Sequence, residues 1–285
     1  YITINRNFDQ SIRLKYSITE TVDNVLGIQN HILRSALTTL GLLSNVEITA
    51  MADIPDTGTG LGSSSAFTVG VLHAIHAFKG EHVSPKQLAE TACHVEIEMV
   101  GAPIGKQDQY AVAHGGLNFI EFLMNGQIIV TPIIVSEKFK KELNDNLLLF
   151  YTGIPRKSGE VLAKQRIDQN NQIIEQQRLA VDLAYRLRDA LYSEDLVQFS
   201  NTLSKGWELK KLSGPNVTNE AIENWYQTAL ACGAKSGKLL GAGGGGFLLF
   251  FVPKENRKEV IAGLHDLKQV DFTFESQGSR IIFVH

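Results

Sequence analysis

Apolar positions recur along the chain at two spacings, one of strands and one of helices. Ile2 and Ile4, then Ile12, Leu14 and Tyr16, alternate with polar neighbours, which predicts a hairpin over residues 1–17. Ile28, Ile32, Leu33, Ala36, Leu37 and Leu40 keep helical spacing and predict a helix over 27–42. Val46 to Met51 reads as a strand, and a helix follows Ser63–Ser65 to about Phe78. Ser84-Pro85 joins an N-cap residue to a first-turn proline, so a second helix runs from there to about Met99. A short helix is expected over 107–113, then strands near 117–123 and 128–134 joined by the hairpin pair Asn125-Gly126. Asn146 to Tyr151 is a continuous apolar strand, and 158–232 is helical in three or four pieces. From Lys238 the order is strand, loop, strand, helix over 254–267, and two more strands.

Mixed elements, a helical middle and a return to sheet argue for an α+β fold of two lobes, divided into residues 1–150 and 151–285. The chain has 285 residues with 44% hydrophobic and 20% charged, which excludes intrinsic disorder. A net charge of −3 offers no field for a nucleic-acid backbone. No apolar run approaches the roughly 20 residues of a membrane span. Cys93 and Cys232 form no metal-ligand spacing, so neither a zinc site nor a disulfide framework is expected, and a reducing, cytoplasmic compartment fits. The chain opens on Tyr1 rather than Met, already in strand pattern, so the natural protein is expected to carry residues before it.

Two glycine-rich loops carry the candidate chemistry. The first, Pro55-x-x-Gly58-x-Gly60-Leu61-Gly62-Ser63-Ser64-Ser65-Ala66, leaves a strand and opens a helix. Glycines there permit close approach of a ligand, and the helix start with its dipole suits an anion such as a polyphosphate. Ser63 stands where a Walker A loop needs Lys, and the G-x-G-x-G spacing is not the dinucleotide fingerprint. The second loop, Gly241–Gly246, matches G-x-G-x-x-G, but Phe247–Val252 reads as a strand where a Rossmann site needs a helix. Its bare backbone suits the wall of a phosphate site, with a plain hairpin turn as the alternative.

Between the loops lies Glu96 at the end of one helix and Asp108 at the start of another. Each alone reads as a solvated helix face or an N-cap. Beside a phosphate cradle they suit phosphoryl transfer, which needs one carboxylate for Mg²⁺ and often another to orient the acceptor hydroxyl.

Together these segments resemble the superfamily of galactokinase, homoserine kinase, mevalonate kinase and phosphomevalonate kinase, the GHMP kinases. The carriers are Pro55–Ala66, Lys238–Gly246 and the G-x-x-D-Q string Gly105–Gln109, in order and over nearly the whole chain. Around the motifs, Ile104–Phe122, Tyr151–Lys164 and Gly237–Phe251 are most similar to D-glycero-D-manno-heptose 7-phosphate kinases. The resemblance implies a ribosomal-protein-S5-like first lobe and a ferredoxin-like second lobe. It implies ATP and Mg²⁺ as cofactors and a sugar phosphate as acceptor, and leaves a homo-oligomeric state open. It places Mg²⁺ on Ser64 and Glu96, and Asp108 at the acceptor hydroxyl as base or electrostatic positioner. ATP phosphates would meet Pro55, Gly58, Gly60, Leu61, Gly62, Ser63, Ser64 and Ser65, with Gly243 and Gly244 lining the site. The family's first motif, P-x-R-x-x-x-x-G, has no counterpart in these residues.

The acceptor's own phosphate needs a cation. Arg156 and Lys157, after Gly153 at a helix start, serve equally well as that site or as a solvated pair. Gln109, next to Asp108, is a further candidate acceptor contact. His73, His76, Trp207 and Trp225 read as packing or surface residues. Two alternatives stay open: a fucose- or galactose-type kinase, and a non-catalytic ATP and sugar sensor on the same fold.

Overall fold

The computed structural model describes residues 1–54, 60–154, 171–214 and 216–284. The chain forms two compact units: Tyr1–Asp56 with Gly62–Val130 and Glu275–His285, and Thr57–Leu61 with Thr131–Phe274. The sequence suggests a division after residue 150, whereas the compact units part between Val130 and Thr131 and the C-terminal stretch returns to the first unit.

The first unit is built on a four-stranded sheet of β1 (Ile2–Arg6), β2 (Ile12–Lys15), β3 (Thr19–Val22) and β4 (Val46–Ala50), in the order β1-β4-β2-β3. The hairpin expected over 1–17 is therefore corrected. β1 pairs antiparallel with β4, from Ile2 opposite Ala50 to Arg6 opposite Val46, and β4 runs parallel to β2. The true hairpin is β2–β3. Alternation marks a strand and its buried face but not its partner. Here Val46 and Ile48, both almost fully buried, take the central slot.

Ile12, Leu14, Val46 and Ile48 face a core covered by α1 (His31–Thr39), α2 (Ser63–Phe78) and α3 (Pro85–Cys93). α1 begins later than its apolar spacing suggests because Asn30 caps it, its side chain accepting from the Leu33 N–H. α3 has the expected start: Ser84 and Gln87 form a reciprocal capping box with Pro85 in the first turn. α4 (Gln107–His114) and the ribbon of β5 (Asn118–Phe122) and β6 (Ile128–Pro132) follow.

The second unit has four antiparallel strands in the order β10-β7-β9-β8: β7 (Leu147–Tyr151), β8 (Ser236–Leu239), β9 (Phe247–Phe251) and β10 (Lys268–Val270). Helices α5 (Glu137–Asp145), α6 (Asn171–Tyr192), α7 (Leu196–Lys211), α8 (Glu220–Ala231) and α9 (Arg257–Gly263) complete it. From β7 onward this is a strand–helices–strand–strand–helix–strand path with the first and third strands central, the ferredoxin-like arrangement. Trp207 of α7, Tyr226 of α8 and Phe250 of β9 pack as tilted ring pairs at centroid distances of 6.0 and 5.8 Å in the core.

A last strand is expected near the C-terminus and is not formed. The segment after β10 instead docks on the first unit, where Gly116 N–H donates to Glu275 O and Ser279 N–H to Val112 O. Among the described residues no helix is long and apolar enough to cross a membrane.

Candidate active site

In the first unit the site is assembled where three helix ends meet. Gly62, at φ +69°, is the N-cap of the 16-residue α2. The left-handed backbone turns the chain sharply into the helix, and a glycine there brings no side chain to cover the first amides. The dipole and those amides favour an anion. A Cβ on Gly62 would stand 3.3 Å from Cβ and Cγ of Asp108, so this carboxylate leans on the last residue of the loop. Asp108 is half-buried in the first turn of α4, and its Oδ1 accepts from Gln107 Nε2 at 3.2 Å.

Glu96 comes from a wide turn. α3 continues into a π-helical segment, His94–Met99, closed by Val100 N–H donating to Val95 O at 3.0 Å. Such turns concentrate at functional positions. The Glu96 side chain is 1% exposed. Its Oε1 accepts from the Ser64 hydroxyl at 2.5 Å, and its Oε2 from the Ser65 hydroxyl at 2.8 Å and Gln109 Nε2 at 2.6 Å. Among the described residues no cation pairs with it, although a buried carboxylate ordinarily needs one. Ser64 is exposed and Ser65 buried, so Glu96 Oε1 accepts from the serine nearer solvent and Oε2 from the buried one.

This donor set fits a divalent cation. Carboxylate and hydroxyl oxygens are hard ligands, and Mg²⁺ takes few protein ligands when phosphates supply the rest. Among the described residues there is no group of three His, Cys, Asp or Glu that could hold a metal ion by itself. Ser64 and Glu96 are the residues that would hold it.

The surroundings are apolar. Burial pushes the Tyr110 hydroxyl up to about 12 and holds His114, stacked on it at 6.2 Å, below its ordinary range. Burial likewise raises the Cys93 thiol to about 11, so it is no nucleophile at neutral pH. His73 bonds Ser279 Oγ and His76 bonds Glu81, in keeping with structural roles.

In the second unit the glycine-rich loop is clamped rather than loose. Gly243 has φ +115°, and a Cβ there would lie 2.7 Å from Val217 Cα. Gly244 N–H donates to Val217 O at 2.9 Å. The Gly244 amide is thus engaged, and what the loop offers a ligand is close backbone. The Thr152 hydroxyl donates to Gly246 O at 2.9 Å and accepts from Gly246 N–H at 3.1 Å, fixing the far end. Lys210 of α7 fixes the near end by donating to Leu239 O and Gly241 O. Sequence reasoning missed Thr152 and Lys210 as loop anchors. The Lys205, Lys210 and Lys211 cluster beside Trp207 was the available signal.

Of the remaining expected residues, Gly60 adopts φ +76° and Gly153 φ +68°. Leu61 and Ser63 flank Gly62 at the start of α2. Pro55, Gly58, Arg156 and Lys157 lie outside the described residues. Ser65 is 2% exposed and its hydroxyl donates to Glu96. Gln109 is 0% exposed and its side chain is turned to Glu96.

A glycine-capped helix start, a carboxylate–serine pair and a second carboxylate beside them are the groups that phosphoryl transfer uses. Models of the GHMP kinases N terminal domain and the GHMP kinases C terminal match residues 25–116 and 187–267. The D-glycero-alpha-D-manno-heptose 7-phosphate kinase of Campylobacter jejuni is 32% identical over 231 residues, 80% of this chain and 68% of that protein. The galactokinase of Pyrococcus furiosus is 28% identical over 73% of this chain and 64% of its own. A crystal structure of a D-glycero-D-manno-heptose 1-phosphate kinase from Bacteroides thetaiotaomicron shares the fold, with a TM-score of 0.75 at 24% identity over 97% of this chain and 84% of that one. The chain belongs to the GHMP kinase family, and its α+β fold of two units is that family's fold.

Proposed function

We propose that the protein transfers the γ-phosphoryl group of ATP to the anomeric hydroxyl of D-glycero-D-manno-heptose 7-phosphate, yielding the 1,7-bisphosphate used for nucleotide-activated heptose and surface polysaccharide. The observation that carries the kinase reading is the buried Glu96 carboxylate joined to Ser64 at the start of α2, with Asp108 leaning on Gly62. The choice of acceptor is supported by the Campylobacter jejuni relative.

Each group then has work suited to its chemistry. The loop end and start of α2, from Gly60 to Ser64, would hold the phosphates through backbone N–H groups and the helix dipole. Ser64 and Glu96 would hold a Mg²⁺ ion, which would supply positive charge against the phosphate oxygens. Asp108 would accept the acceptor hydroxyl's proton or hold that hydroxyl in line. Gly243 and Gly244 would give the nucleotide an approach uncrowded by side chains. Arg156 and Lys157 would take the acceptor's 7-phosphate, Arg by a bidentate contact.

The test is ADP release with ATP and a panel of heptose 7-phosphate, fucose, galactose, mannose and mevalonate. Turnover confined to heptose 7-phosphate is expected. Turnover on an unphosphorylated sugar would keep the kinase and remove the acceptor and the Arg156–Lys157 assignment. ATP binding without turnover on any acceptor would favour the sensor.

A further inference from the structure

Gln109 sits one residue after Asp108 on the 8-residue α4, where a single step rotates the side chain by about 100°. Asp108 stays half-exposed beside Gly62, whereas Gln109 points inward and is fully buried. Its Nε2 donates to Glu96 Oε2 at 2.6 Å, a charge-assisted contact. The amide orientation follows from the carboxylate, since the opposite one would set oxygen against oxygen. Among the described residues the other end of the amide has no partner: Oε1 is buried and unsatisfied. An unpaired buried acceptor is destabilising, and an apolar residue of similar volume would avoid that cost. The cost is explained if the donor end has a function.

That function concerns the direction of the Glu96 carboxylate. Ser65 and Gln109 both hold Oε2 from the buried side, and among the described residues Oε1 is paired with exposed Ser64 alone. We propose that Gln109 is a positioning residue: with Ser65 it pins Oε2 so that Oε1 and the Ser64 hydroxyl are presented together to the divalent cation. The assignment rests on the kinase reading above and replaces the expectation that Gln109 contacts the acceptor. Residues that orient metal ligands in this way typically change metal affinity about 10–100-fold when removed.

The test uses the whole protein with ADP and Mn²⁺ as the probe, free Mn²⁺ being read by electron paramagnetic resonance. Gln109→Met, closest in shape, and Gln109→Leu are compared with the wild type and with Glu96→Gln. The expected result is Mn²⁺ affinity weakened about 10–100-fold in the Gln109 variants, with the acceptor KM unchanged. Combined with Glu96→Gln, a Gln109 substitution should add no further loss. Wild-type Mn²⁺ affinity with a raised acceptor KM would overturn the proposal in favour of a substrate contact. A lowered melting temperature with Mn²⁺ affinity unchanged would overturn it in favour of packing alone. Failure of the wild type itself to bind Mn²⁺ with ADP would overturn the kinase reading, and this assignment with it.

Discussion

α2 has a left-handed glycine at each end, and the pair permits a controlled perturbation of Asp108. Gly62 has φ +69° and Gly80 has φ +73°. A Cβ on Gly80 meets nothing within 4 Å, whereas a Cβ on Gly62 stands 3.3 Å from Cβ and Cγ of Asp108 and 3.4 Å from its Oδ2. Alanine at either position bears the left-handed penalty, about 1–2 kcal/mol. For a domain of 150–250 residues each kcal/mol lowers the melting temperature by about 2–4 °C. Both variants are therefore expected to melt a few degrees early and by similar amounts. Only Gly62→Ala also forces Asp108 aside, by a few tenths of an ångström. Since a misplacement of about 1 Å costs on the order of 10²-fold in rate, a shift of this size should cost roughly 10-fold in kcat. Thermal denaturation and steady-state ATP turnover, run side by side, separate the effects. Equal turnover in the two alanine variants would refute the idea that the Asp108–Gly62 contact sets catalytic geometry.

Other outcomes follow from the same geometry. Thr152→Val keeps the shape of a 6%-exposed side chain but strips the hydroxyl partner from Gly246 N–H, so it should cost about 1–3 kcal/mol in denaturant unfolding, while Thr152→Ser costs less. Glu20, 7% exposed, should govern acid stability. Burial pushes its carboxyl up, but the Tyr16 hydroxyl and the Gln29 and Asn30 N–H groups together outweigh burial and hold it below its ordinary 4.5. A depressed carboxylate contributes stability that is present above about pH 4.5 and lost as pH falls through the folded value. Unfolding free energies measured from pH 7 downward should therefore fall more steeply below that point in the wild type than in Glu20→Gln.

Local chemistry made much of this legible in advance. The Ser84–Pro85 start, the Asn125-Gly126 turn and the opening of α2 after Gly62 rest on residues within a few positions of one another. The approach of Glu96 and Asp108 to the start of α2 was legible too, because all three sit in ordered motifs. What escaped depends on distant partners. Nothing in the alternation of β1 and β2 says that β4 lies between them. The segment after β10 keeps a strand-like pattern but finds its hydrogen bonds at Val112 and Gly116 instead of in a ladder. Gln109 carries the motif of its neighbour, yet its role is decided by which side of α4 faces Glu96. Lys210 and Thr152 are ordinary residues until the glycine loop folds back between them.

The central claim is that Asp108 serves phosphoryl transfer at a nucleotide site formed without it. The most direct measurement is kcat for the heptose 7-phosphate reaction in Asp108→Asn, with nucleotide affinity determined on the same sample. Near-complete loss of kcat with ATP affinity retained is predicted. Substantial remaining activity would contradict the account and move the catalytic role to another residue.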